Sequence, residues 1–251
     1  MKIVVIGGSG LIGRKVVRLL AERGHAPLAA SPSHGIDATT GEGLPEALMG
    51  AEVVVDVSNS PSFEDAAVLS FFERAGRHLA DAERDAGIKH HVALSVVGVD
   101  RLTSSGYFRA KLAQERMVAA SGTPYTIVRA TQFLEFIGAI AASATSPDGT
   151  IRLPDVSFQP IAADDVARAV VEVALFPGRN QTIEIAGPER LTLSKAVDRY
   201  LQATGDKRRV VVDGAASYFG AQLRETSLVP LDPAVGTGKS LDDWLADTVL
   251  Q

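Results

Sequence analysis

The feature that most constrains this chain is an alternation. Apolar runs of strand length, rich in β-branched residues, take turns with segments of helical length. Lys2–Ile6, Pro27–Ala30, Glu52–Val57, Val92–Val97 and Tyr125–Val128 read as strands. Leu11–Arg23, Leu44–Met49, Phe63–Ala86 and Tyr107–Ala120 read as the helices between and after them, with Gly24, Gly87 and Gly122 as stop signals. Strands that are apolar on both faces belong in a sheet covered on both faces. The expected fold class is α/β, a doubly wound parallel sheet.

Beyond Arg129 the rhythm loosens. Phe133–Ser143 reads as a helix, followed by a turn at Ser146–Gly149. A helix opens within Pro160–Asp165, with Ala163 or Asp164 near its N-cap. Thr182–Ala186 reads as a strand, Thr192–Ala203 as a helix stopped by Gly205, and Arg208–Val212 as a strand. A last helix starts at Ser240 and runs through Leu245.

Bulk properties narrow the function classes. The chain has 251 residues, 46% of them apolar, enough for one full core. It has no cysteine, so disulfides, thiol nucleophiles and thiolate-held metals are excluded. Its five histidines are scattered without metal-ligand spacing, and no metal site is expected. A net charge of −5 without a basic block argues against nucleic acid as a partner. No apolar run has the length of a membrane span, and the first strand leaves no room for a signal peptide. The expectation is a cytoplasmic protein with a small-molecule partner. The sequence is silent on oligomeric state.

Directly after the first strand stands Gly7-Gly-Ser-Gly-Leu-Ile-Gly13, with Gly7, Gly10 and Gly13 at intervals of three. A glycine loop that follows a strand and opens a helix has a physical use. It permits a tight turn, close approach of backbone to a pyrophosphate, and close helix–strand packing. The N–H groups at the helix start and the positive end of its dipole then hold the phosphates. Gly7, Ser9, Gly10, Leu11, Ile12 and Gly13 are the candidate cradle. The second strand ends Ala29-Ala-Ser-Pro-Ser-His34, without the carboxylate that would bind ribose hydroxyls and repel a 2′-phosphate. Ser31, Ser33 and His34 can donate to such a phosphate. NADP(H) is therefore the preferred cofactor, with NAD(H) possible. Asp37, on a vestigial third strand at Gly35–Asp37, reaches the adenine or else caps the next turn.

Further on, Gly106-Tyr-Phe-Arg-Ala-Lys111 sets Tyr107 and Lys111 one helical turn apart on one face. An ammonium beside a phenol favours phenolate and lowers its pKa. A phenol so tuned exchanges a proton with a substrate oxygen near neutral pH, and the lysine can also hold a ribose. Ser95, at the carboxyl end of the Val92–Val97 strand, is placed to orient that oxygen.

Glycine loop, upstream serine and Tyr-x-x-x-Lys in this order resemble the short-chain dehydrogenase/reductase superfamily. Val92-Ala-Leu-Ser-Val-Val-Gly98, Pro124–Phe133, Pro160–Val166 and Ile185–Glu189, with the three-residue glycine spacing, are similar to its atypical, NmrA-like NAD(P)-binding group. The resemblance implies a Rossmann core over 1–150. It implies a C-terminal part over 151–251 that partly returns to the core at about 160–186 and otherwise forms a small α/β substrate lobe. It implies that Ser58, Asn59 and Ser60 line the nucleotide site, and that Thr131, Gln132 and Phe133 flank nicotinamide and substrate. Tyr218 is a second substrate candidate, and Trp244 is expected to anchor the tail in the core.

The expected function is an NAD(P)H-dependent oxidoreductase that passes hydride between nicotinamide and a small carbonyl or quinone-like substrate. Many NmrA-like members are redox sensors, so the alternative is a non-catalytic NADP(H)-binding regulator of a partner protein. A nucleotide-sugar epimerase is a weaker third reading. Lys89-His-His91 reads as a solvated loop.

Overall fold

The computed structural model describes residues 1–232, 236 and 238–249. The chain forms two compact units. The first comprises Met1–Ser95, Gly106–Arg129 and Val166–Ile183, and the second Val96–Ser105, Ala130–Asp165 and Glu184–Gln251.

The strands are β1 (Lys2–Ile6), β2 (Ala26–Ala30), β3 (Val53–Asp56), β4 (His90–Val96), β5 (Tyr125–Ala130) and β8 (Gln181–Ile185), in the order β2-β1-β3-β4-β5-β8. β1 pairs with β2 and β3, and β3 with β4, all parallel. β8 runs alongside β5: the Asn180 N–H donates to Tyr125 O (2.8 Å) and the Thr131 N–H to Ile185 O (3.0 Å). The chain leaves β1 for β2 on one side and continues to β3 on the other. β1 and β3 therefore flank the topological switch point, where open α/β sheets bind ligands.

The reason for a parallel sheet is visible strand by strand. Ile3, Val4 and Val5 of β1 and Val54 and Val55 of β3 are wholly buried, so both faces are covered, as the apolar runs require. Helices α1 (Leu11–Glu22), α2 (Leu44–Leu48), α3 (Asp65–Ala86), α4 (Gly106–Ala120) and α6 (Ala163–Ala174) connect the strands. α2 and α3 close a core of Val4, Ile6, Leu44, Leu48, Val54 and Leu79.

The predicted third strand does not form. Asp37 makes only an isolated antiparallel bridge to Glu42. Its carboxylate is taken by the Thr39 N–H and hydroxyl, both at 2.7 Å, so it caps the following turn. The sheet thus ends at β2. The histidine pair also departs from expectation. His90 and His91 open β4 and are buried, not solvated. Neighbours in a strand point to opposite faces, and both faces of this sheet are covered.

The second unit holds α5 (Ile137–Ser143), β6 (Ile151–Leu153), β7 (Ser157–Phe158), β9 (Leu191–Thr192), α7 (Leu193–Thr204), β10 (Val210–Val212) and α8 (Leu241–Val249). β10 pairs with β6 in parallel and β7 with β9 antiparallel. The expected helix at Phe133–Ser143 begins as a 3-10 turn at Leu134–Phe136 before α5. Ser240 caps α8, its hydroxyl accepting the Asp243 N–H at 3.2 Å. Trp244 is half-buried, with its indole N–H 3.3 Å from Glu135 Oε1. Tyr218 is buried and edge-on to exposed Phe219, which holds φ +45° at the tip of a tight turn closed by paired Tyr218 and Ala221 backbones. No helix among the described residues is long and apolar enough to cross a membrane.

Candidate functional site

The glycine loop is built as a close-fitting cradle. A Cβ on Gly13 would stand 2.1 Å from Gly7 O, and one on Gly7 (φ +78°) would stand 2.8 Å from the Ser58 Cα. Both positions exclude any side chain, because real contacts of this kind are never so short. The Gly7 and Gly8 N–H groups donate to Ala30 O at 3.0 and 3.1 Å, which fastens the loop to the end of β2. α1 begins at Leu11 with Gly10 as its N-cap. No side chain caps it and no acidic residue lies in its first turn. Leu11, Ile12 and Gly13 are the first three helical residues, so their N–H groups have no intrahelical acceptor and suit an anion. Ser9 and Gly10 are exposed.

At the end of β2, Ser31, Ser33 and His34 converge. Ser31 Oγ is buried and lies 2.9 Å from Ser33 Oγ and 2.7 Å from His34 Nδ1. Ser33 and His34 are exposed. The structure therefore brings these three predicted residues together, and keeps Asp37 apart in its own turn.

Behind the loop, β3 ends in a buried carboxylate that sequence reasoning passed over. Asp56 Oδ1 accepts the Ser58 N–H at 3.0 Å and the Ser58 hydroxyl at 2.6 Å. Its Oδ2 accepts Gln114 Nε2 at 2.7 Å. Gln114 Oε1 in turn accepts Lys111 Nζ, which also donates to Leu94 O at 2.8 Å and lies 4.6 Å over the Phe72 ring. Asp56, Lys111 and Gln114 are all buried. The visible signal was a lone carboxylate closing an otherwise all-valine strand. Asn59 is exposed, and Ser60 is buried, its hydroxyl accepting the Ser62 N–H at 3.2 Å.

Tyr107 opens α4, half-buried against Val68, Phe72 and Ala110, with the Phe63 ring 5.6 Å away. Here the expectation needs correcting. Burial pushes the phenol up to about 12, against a smaller opposing effect from its hydrogen bond with Asn59. Lys111 does not lower it, because its amine is committed to Leu94 O and Gln114 inside the core. Burial brings Lys111 itself down to about 8, against the pull of Asp56 and Glu115. Sharing a helical face was not enough: a four-carbon stem can turn inward, and this one does.

Ser95 is buried near the carboxyl end of β4, and its hydroxyl has no hydrogen-bond partner among the described residues. In the second unit the same holds for the Thr131 hydroxyl and for both polar atoms of the Gln132 side chain. The Thr131–Gln132 backbone is pinned by Ile185 and Ile161. Half-buried Phe133 stacks on Phe136 at 5.6 Å. Buried polar atoms without a protein partner are uncommon and call for a ligand or water.

A parallel sheet with a capless, glycine-lined helix start at its switch point defines a dinucleotide-binding α/β protein of the Rossmann type. The model of the NAD(P)H-binding family matches residues 7–177, most of the chain, and the protein belongs to that family. Among curated relatives, an NAD(P)H azoreductase of Xenophilus azovorans is 29% identical over 230 residues, 83% of this chain and 76% of the relative. A (4-alkanoyl-5-oxo-2,5-dihydrofuran-3-yl)methyl phosphate reductase of Streptomyces griseus is 28% identical over 206 residues, 76% of this chain and 69% of the relative. Among solved structures, the Escherichia coli NADPH-dependent quinone oxidoreductase QOR2 with NADPH has TM-score 0.72 at 19% identity, covering 98% of this chain and 99% of that one. The UDP-glucose 4-epimerase of Thermotoga maritima has TM-score 0.74 at 18% identity, covering 100% of this chain and 98% of that one. At such identities the structural matches speak for the fold.

Proposed function

We propose that this protein passes hydride between NAD(P)H and a small carbonyl or quinone-like substrate. It is an NAD(P)H-dependent oxidoreductase, in keeping with its family and with its reductase relatives. The observation that carries the reading is the close-fitting cradle of Gly7 and Gly13 at the start of α1, whose first N–H groups no side chain caps.

The cradle fits the cofactor: Gly7, Gly10 and Gly13 leave room for a pyrophosphate, and the N–H groups of Leu11, Ile12 and Gly13 meet its charge. Ser31, Ser33 and His34 take the 2′-phosphate, which makes NADP(H) the preferred form. Thr131 and Gln132 are assigned to the cofactor, and Phe133 and Tyr218 to the substrate. When bound, the nicotinamide supplies the hydride. Tyr107 donates its phenolic proton to the substrate oxygen as that oxygen gains charge, and recovers a proton from water. Ser95 donates its hydroxyl to the same oxygen.

The test is NADPH oxidation across a panel of carbonyls and quinones, comparing the protein with Tyr107→Phe. Loss of a general acid lowers turnover by roughly 10²–10⁴. Equal turnover by the variant, or cofactor binding with no turnover on any substrate, overturns the reading.

A further inference from the structure

The Asp56 carboxylate is buried and accepts three donors, two of them from Ser58. What it holds is Ser58. The Ser58 Cα and N lie only 2.8 and 2.9 Å from where a Cβ on Gly7 would be, so Ser58 forms the wall against which Gly7 packs. From the other side Gln114, on α4, donates to Asp56 and accepts from Lys111, which is tied to the β4 backbone at Leu94. One continuous line of hydrogen bonds thus joins α4 and β4 to the β3 end that walls the glycine loop.

We propose that Asp56 is a positioning residue for the NAD(P)H cradle: it fixes Ser58 against Gly7 and is itself fixed from α4 through Gln114. The inference rests on the cofactor reading given above. Asparagine at 56 keeps the shape but replaces one acceptor oxygen with a donor, so it cannot accept from Ser58 and Gln114 together. The Ser58 turn is then released on one side and the wall of the cradle loosens. Asp56 does not touch the reacting atoms, so its effect falls on cofactor affinity before it falls on the chemical step.

The experiment is a direct NADPH titration followed by protein and cofactor fluorescence, without substrate, on the protein, Asp56→Asn, Ser58→Ala and Ser58→Thr. Thermal midpoints are recorded on the same samples. The expected result is an NADPH dissociation constant raised tenfold or more in Asp56→Asn and about fivefold in Ser58→Ala, with Ser58→Thr within twofold of the unaltered protein. A carboxylate with only a structural role would lower the thermal midpoint and leave the dissociation constant alone, and that outcome overturns the proposal. If Asp56→Asn does not fold, the two Ser58 variants decide it. No binding of NADPH or NADH by the unaltered protein overturns the cofactor reading together with this one. Normal binding by every variant overturns this one alone.

Discussion

Lys111 lies with its ammonium 4.6 Å over the ring of Phe72, between α4 and α3, while the Tyr107 ring one turn away packs 5.6 Å from the ring of Phe63. The two halves of the Tyr-x-x-x-Lys pair therefore serve different neighbours in this structure. Lys111→Met keeps the apolar stem but leaves Leu94 O and Gln114 Oε1 without their donor. We expect a loss of about 1–3 kcal/mol in denaturant unfolding at pH 7, the usual cost of a buried unsatisfied group.

The same lysine sets a pH signature. Its folded pKa of about 8 lies below the ordinary value of 10.5. Between those values the unfolded chain binds more protons than the folded one, so this group makes stability rise as pH rises through that window. Denaturation midpoints from pH 8 to 10.5 should show the rise in the protein and a smaller one in Lys111→Met.

On the acid side His90 acts. Burial, with the neighbouring charge of His91 adding to it, lowers His90 from 6.5 to about 4. The unfolded chain takes up the proton first, so stability falls as pH drops from about 6.5 towards 4. His90→Gln, which can still bond Thr126, should flatten that limb in thermal melts. His91 has the opposite sense. Burial disfavours its charge, but the Glu83 carboxylate at 2.6 Å outweighs this and raises it, so its stabilising contribution is present at low pH and fades as pH climbs.

Cofactor choice can be read separately. His34→Ala and Ser31→Ala dismantle the cluster at the end of β2. Each should weaken NADPH binding about tenfold and NADH binding less than threefold, as two parallel titrations would reveal.

Gly13→Ala tests the loop itself. A methyl group 2.1 Å from Gly7 O forces the helix start away from the loop. Binding of both nucleotides should be lost by direct titration, and overpacking of this kind typically costs about 1–3 kcal/mol of stability.

Most of the fold was legible because its signals are local. Valine-rich runs such as Val53–Val55 can only be strands with both faces covered, and glycine marks helix ends at Gly87 and Gly205. The glycine loop was legible for the same reason. What escaped depends on direction in space. Nothing in the chain says that Lys111 bends inward to Leu94 O, that Asp56 answers to Gln114 fifty-eight positions away, or that His90 and His91 are themselves part of β4 and buried. For Asp37 two readings stood open, a vestigial strand or a turn cap, and the Thr39 bonds that decide for the cap depend on backbone dihedrals.

Phe219 carries one more consequence. A bulky residue at φ +45° pays for a conformation that glycine or asparagine adopts freely. Any selection for thermal endurance alone should discard it early, in favour of Asn or Gly. A library screened only for heat tolerance would thus report, by whether this aromatic survives, how strongly something other than endurance keeps it.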